Sequence, residues 1–169
     1  KCVITDTKNN EINDKTDLEI NKNYTINENN KFKYTFKITN LPLGKGSFGK
    51  VFLCNKEDSC NKKDEIIFKY QEIENIKDFN LIFKEVELLK RVKDLNLNDY
   101  FVEYIYSCFF GNKYLVFMEK MDISLKDFIY NPNYDLQYEN NNNIAHICDQ
   151  LLRGLELLHK NGIYHQDIK

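Results

Sequence analysis

Three glycines, Gly44, Gly46 and Gly49, stand between two stretches of strand-like pattern, and that placement narrows the fold more than any other feature of the chain. Before them, Phe32, Tyr34, Phe36 and Ile38 alternate with polar residues, the period of two that marks a half-buried strand. After them comes a short apolar run, Val51 to Cys54. A glycine cluster between two strands is not the strand-to-helix turn of a dinucleotide-binding fold, and no Gly-Lys-[Ser/Thr] ending makes a Walker loop. A glycine hairpin lets backbone N–H groups approach phosphates, because no side chain blocks them. A merely flexible hairpin would explain the same glycines.

The rest of the chain supplies the order of elements. Ile66-Ile67-Phe68-Lys69 reads as a third strand after a polar turn, and residues 80–93 have helical spacing. Residues 101–110 and 114–118 read as two more strands joined at Gly111-Asn112. A short helix is expected near 124–130 and a long one over 143–159, with apolar residues at Ile144, Ile147, Leu151, Leu155 and Leu158 and a stop at Asn161-Gly162. Residues 1–31, rich in Asn, Lys, Asp and Glu, predict a disordered or loosely attached extension. Asn140 to Asn143 reads as a loop insertion. The divisions are therefore 1–31, 32–122 and 123–169.

Composition excludes several classes. Of 169 residues, 42% are hydrophobic and 30% charged, with 11 Tyr and 12 Phe to fill a core. A net charge of −2 argues against a mainly nucleic-acid-binding protein. No window approaches the ~18 apolar residues of a membrane span. The first residue is Lys1, so the native start is expected upstream or removed, and a targeting peptide is not testable. The five cysteines are scattered without a Cys-x-x-Cys pair, and His146, His159 and His165 complete no metal-ligand pattern. Free thiols in a reducing compartment, cytoplasmic or nuclear, are the expectation. A Cys54–Cys60 link across a hairpin is the one disulfide the spacing admits.

Lys69 ends a strand, where a solvated lysine is common; a partner would make it more than that. The 80–93 helix offers two carboxylates. Glu85 shares a face with Leu81, Ile82, Leu88, Leu89 and Val92, where a carboxylate is costly unless it finds a cation or reaches water at the stripe's edge. Glu87 neighbours Lys84, Lys90 and Arg91, as a solvated residue does. Glu85 is therefore the one expected to meet Lys69. Finally, Ile163-Tyr164-His165-Gln166-Asp167-Ile168-Lys169 follows the long helix; an Asp two residues before a Lys can accept a hydroxyl proton beside a phosphate clamp, and alone it would be a surface loop.

Together, Leu-Gly-x-Gly-x-x-Gly-x-Val, a strand Lys, a helix Glu and His-x-Asp-x-Lys resemble the eukaryotic protein kinase family in order and spacing. The resemblance covers about residues 34–169 and extends to Glu85–Val92, to Tyr114–Glu119, and to the spacing from Gln150 to Asp167. It implies an α+β fold: an N-lobe with a five-stranded antiparallel sheet and one long helix, then the first helices of a truncated α-helical C-lobe.

The same resemblance implies the site. Leu43, Gly44, Lys45, Gly46, Ser47, Phe48, Gly49, Lys50 and Val51 would cover ATP phosphates, with Ile67 above the adenine. Lys69 would hold the α- and β-phosphates and Glu85 would orient it. Met118 would be the gatekeeper, and the backbone at Glu119 and Met121 would meet the adenine edge. Asp167 would orient the substrate hydroxyl and accept its proton, with Lys169 on the γ-phosphate as in Ser/Thr kinases. The implied function is ATP-dependent phosphorylation of Ser/Thr hydroxyls on protein substrates, with Mg2+ ligands expected beyond Lys169 and no metal ligand within the chain. No nucleic-acid partner is expected, and oligomeric state is not readable.

Three departures qualify this. Gln166 stands where the family carries Arg, and Gln cannot make charge-assisted bonds to a phosphorylated activation loop. Ile67 is larger than the usual small residue, and overpacking costs ~1–3 kcal/mol where a site cannot relax. The chain ends at Lys169, so the fragment alone is expected to be inactive, with on the order of 10 kcal/mol of stripe burial on the long helix unrealised and weak amide protection from about residue 123. The rival reading is a pseudokinase or nucleotide-binding scaffold; a small-molecule phosphotransferase is a third. Activity is expected not to require activation-loop phosphorylation. An otherwise complete enzyme that stays silent in a kinase assay until that loop is phosphorylated would refute it.

Overall fold

The computed structural model describes residues 3–13, 18–28, 32–38, 41–46, 49–56, 66–130, 141–166 and 168. They form two compact units, residues 1–90 with 103–120, and residues 91–102 with 121–169.

The first unit is an antiparallel sheet with one helix. Its strands are β1 (Val3–Asp6), β2 (Asn23–Glu28), β3 (Phe32–Lys37), β4 (Gly44–Gly46), β5 (Gly49–Lys56), β6 (Ile66–Glu72), β7 (Tyr104–Phe110) and β8 (Lys113–Glu119). The path runs β1-β2-β3-β5-β6-β8-β7, with short β4 pairing β5 as the glycine hairpin. Ile4 from one end of this path and Phe110 from the other enter the same buried cluster, so the sheet curls around its inner face. Phe36, Phe52, Phe68 and Phe117 fill the centre. The Phe68 ring stacks on Phe52 at 5.3 Å and Phe117 at 5.7 Å, and meets Phe36 edge-on at 4.8 Å.

The expectation for residues 1–31 is corrected here. Over the described residues the segment supplies two strands, with Tyr24 opposite Phe36 and Ile26 opposite Tyr34. Ile4, Leu18, Tyr24 and Ile26 are buried in the sheet's core. The average composition hid this, because only four apolar side chains are needed and they come from separated positions. Polar residues make the connections: Asp6 Oδ1 accepts from the N–H of Lys8 and of Asn10, and the Tyr24 hydroxyl accepts from Glu19 N–H at 2.7 Å. Asn21, at φ 64, donates its N–H to Ile38 O at 2.7 Å, tying the segment to the chain just before the glycine hairpin. The family-like strands β3, β5, β6, β7 and β8 are thus extended by two more.

Helix α1 (Ile76–Asp94) starts four residues earlier than its apolar pattern suggests, because Asn75 caps it: Asn75 Oδ1 accepts from Lys77 and Asp78 N–H at 2.9 and 3.1 Å. In the second unit, α1 ends at Asn96 with φ 54, whose N–H reaches Lys93 O while Leu97 N–H reaches Val92 O. Helix α3 (Asn141–Lys160) ends the same way at Gly162, φ 68, with Ile163 N–H on Leu158 O. The apolar partners of both caps, Val92 with Leu97 and Leu158 with Ile163, meet in one cluster. Residues 91–102, placed by sequence with the first lobe, therefore pack with α3. The α3 stripe is buried at Leu158 and left open at Ile144 and Leu151, each 56% exposed. Helix α2 (Leu125–Tyr130) begins at Ser124, whose Oγ accepts from Asp127 N–H and donates to Asp127 Oδ2. The loop insertion expected at residues 140–143 is corrected: Asn140 lies outside the described residues, and Asn141, Asn142 and Asn143 form the first turn of α3.

Cys54 is a free, buried thiol whose Sγ donates to Thr35 O at 3.3 Å. Burial pushes it well above the ordinary thiol range. Cys60, the disulfide partner that spacing admits for it, lies outside the described residues.

Two measurements check this description. Ile26→Ala should lower the free energy of unfolding by about 2–5 kcal/mol in urea titration; no change would mean the segment is not packed. Mass-mapped alkylation of the native chain should modify exposed Cys148 and spare Cys54 and Cys108 until denaturant is added.

Candidate active site

Strand β6 has two faces. Ile66, Phe68 and Tyr70 turn to the inner core, so Ile67, Lys69 and Gln71 lie on the other side. Val51 of β5 is opposite Lys69, and Met118 of β8 is opposite Ile67. Antiparallel pairing puts opposed residues on one face, so Val51, Ile67, Lys69 and Met118 share it.

Helix α1 packs on part of the same face through Ile82 and Val86, with Leu89 partly buried, against Tyr104, Tyr114 and Val116. This corrects the stripe drawn from sequence. The buried row is centred on Val86, 1% exposed, whereas Leu81 and Leu88 are 52% and 43% exposed. Ile82, Val86 and Leu89 are spaced i, i+4, i+7, so the signal was in the sequence but gave two overlapping rows. Glu85 flanks the true row, and from there it reaches Lys69: Nζ lies 2.6 Å from Oε1 and 2.8 Å from Oε2. The Lys69 side chain is 17% exposed and that of Glu85 40%. Glu87 instead pairs with Lys90 at 3.1 Å on the surface. Behind α1, Ser107 Oγ is 2.8 Å from the hydroxyls of both Tyr104 and Tyr114. Burial raises the Tyr104 hydroxyl pKa, so it stays protonated in this chain of bonds.

The two described outer glycines of the hairpin differ. Gly49 has φ 130, and a Cβ there would lie 2.4 Å from Tyr70 O, so only glycine fits. At Gly44 a Cβ would meet nothing within 4 Å, so a side chain would fit there. Lys45 and Gly46 complete β4, Leu43 N–H donates to Val51 O at 2.8 Å, and Lys50 is exposed. Glu119 ends β8, its N–H on Glu103 O and its Oε2 accepting from Glu103 N–H. Met121 belongs to the second unit and is exposed there, as are His165 and Gln166, the latter at φ 62. Ser47, Phe48, Asp167 and Lys169 lie outside the described residues. The first unit thus brings together Val51, Ile67, Lys69, Glu85 and Met118.

These residues fit a nucleoside triphosphate through a held ammonium and an apolar face. Among the described residues no cluster of His, Cys, Asp or Glu could hold a metal ion. Nor, among them, is any helix long and apolar enough to cross a membrane.

Comparison with known proteins identifies the family. The family model described as "Protein kinase domain" matches residues 38–169. The serine/threonine-protein kinase CLA4 of Candida albicans is 32% identical over 146 residues, 86% of this chain and 14% of that protein. Calcium-dependent protein kinase 4 of Plasmodium falciparum is 26% identical over 127 residues, 75% of this chain and 23% of that protein. Serine/threonine-protein kinase 4 homolog B of Dictyostelium discoideum is 30% identical over 129 residues, 75% of this chain and 10% of that protein. The chain belongs to the protein kinase domain family. It spans less than a quarter of the length of each of these relatives.

The seat and the charge separate experimentally. In denaturant unfolding Val86→Ala should cost about 1–3 kcal/mol, whereas Glu85→Ala, removing a partly exposed pair, should cost about 1 kcal/mol or less. A larger loss for Glu85→Ala would show that the ion pair, not Val86, holds α1.

Proposed function

We propose that the protein carrying this chain transfers the γ-phosphate of ATP to Ser or Thr hydroxyls of protein substrates. The observation that carries this reading is the Lys69–Glu85 pair, set on the sheet face shared by Val51, Ile67 and Met118. Family membership supports the phosphotransfer, and the serine/threonine kinases among the relatives support the choice of hydroxyl.

In this reading Val51, Ile67 and Met118 bind the adenine by apolar contact, with the backbone at Glu119 and Met121 at its edge. The glycine hairpin, residues 43–51, covers the phosphates with its N–H groups. When bound, ATP would supply the phosphoryl group and Mg2+, whose ligands are expected beyond Lys169, would offset its charge. Lys69 holds the α- and β-phosphates, and Glu85 keeps the ammonium from swinging to solvent, so less side-chain entropy is lost on binding. Asp167 orients the substrate hydroxyl and takes its proton; Lys169 steadies the γ-phosphate. Gln166 leaves no cation at the position from which Arg would pair with a phosphorylated loop.

The test is phosphotransfer from labelled ATP by the full-length protein, with proteins and small alcohols offered as acceptors and the labelled residue identified. Label on Ser or Thr, lost by at least about a hundredfold in Lys69→Met, is expected. ATP binding without transfer would identify a nucleotide-binding scaffold instead, and label on small alcohols a metabolite phosphotransferase.

A further inference from the structure

Strands β3 and β4 both pair with β5, but not continuously. Phe36 is opposite Cys54 and Gly44 is opposite Val51, so the seven residues 37–43 run past only two, Phe52 and Leu53. Of the seven, Thr39 and Asn40 lie outside the described residues. Strand β5 can pair with little of this excursion, and the leading segment holds its start instead. Lys37 is paired with Asn23 of β2, and Ile38 O accepts from Asn21 N–H at 2.7 Å.

The turn that supplies this donor is itself built. Leu18 is buried, Glu19 N–H donates to the Tyr24 hydroxyl, and Asn21 stands at φ 64. Asn is one of the few residues with a side chain that takes this conformation readily. Ile38 is buried in the same core as Leu18 and Tyr24. The excursion ends at Leu43, whose N–H donates to Val51 O, and Val51 lies opposite Lys69.

We propose that Asn21 is a positioning residue for nucleotide: its bond to Ile38 fixes the limb of chain that enters the glycine hairpin. The hairpin then meets the phosphates already ordered. Without the bond the limb gains freedom, and binding must restrict it at a cost in affinity. The cost falls on the phosphates that the hairpin covers, not on the base. This inference deepens the nucleotide-binding reading above and rests on it. It adds that a segment preceding the matched residues 38–169 sets nucleotide affinity.

The experiment compares the full-length protein with its Asn21→Pro and Asn21→Gly variants, measuring thermal midpoints and the affinities of ATP and of adenosine, which has no phosphates. Proline has no N–H to donate and cannot adopt the positive φ of Asn21, whereas glycine keeps the N–H and adopts it freely. Expected are ATP affinity reduced about fivefold in Asn21→Pro, adenosine affinity unchanged, and wild-type affinities in Asn21→Gly. Unchanged ATP affinity in folded Asn21→Pro overturns the proposal. Equal loss of ATP and adenosine also overturns it, since that marks a disturbed sheet. So does loss of ATP affinity in Asn21→Gly, because the side chain and not the N–H then matters. If Asn21→Pro fails to fold, Tyr24→Phe loosens the same turn by removing the hydroxyl that Glu19 N–H reaches. A selective loss of ATP affinity of about threefold is then expected; no selective loss, or failure of both variants to fold, means a purely structural turn and overturns the proposal. Wild-type protein that binds neither ligand overturns the nucleotide reading itself, a result distinct from variants and wild type binding ATP alike.

Discussion

Seating α1 on the outer face of the sheet is the constraint from which the site follows. Val86 is almost completely buried against a wall built by β7 and β8, and that wall is stiffened by the hydroxyl chain Tyr104–Ser107–Tyr114. With Val86 in place, helical geometry leaves little choice of where Glu85 points, and the strand register leaves little choice for Lys69. The ion pair is therefore a consequence of packing more than its cause. It is partly exposed, and such pairs contribute little to stability. What it supplies is a lysine held in one place.

The inner face of the same sheet is governed by a different requirement. A curled sheet must fill its concave side, and here Phe36, Phe52, Phe68 and Phe117 do so, with Ile4, Leu18, Tyr24 and Ile26 added from the leading segment. The family match begins at residue 38, after β1, β2 and β3. The core of this first unit thus extends beyond the matched residues. The leading segment is also bonded to Ile38, the residue from which the chain enters the glycine hairpin.

Much of the site is legible one residue at a time. Glu87 has surface cations for neighbours and Glu85 has apolar ones, and the pairings observed are Lys69–Glu85 and Glu87–Lys90. The strand periods place β3, β6 and β8, and Gly162 ends α3. The features that local pattern misreads have a common cause. Residues 1–31 look unable to pack because composition averages over positions, while packing depends on which few side chains reach a core that the rest of the chain has already built. Leu81 and Leu88 look buried because two helical rows overlap and only a facing surface decides between them.

The family, the order of elements from residue 32 onward and the identity of the charged pair can be read from local pattern, because glycine spacing, strand alternation and helix-stop residues act locally and leave local marks. Only tertiary structure decided that the leading strands join the sheet, that α1 is seated by Val86, and that the Gln71 amide is buried beneath Gly49. Each of these depends on contacts between residues far apart in the chain. Burial and pairing belong to a position in space, and no local pattern carries that information.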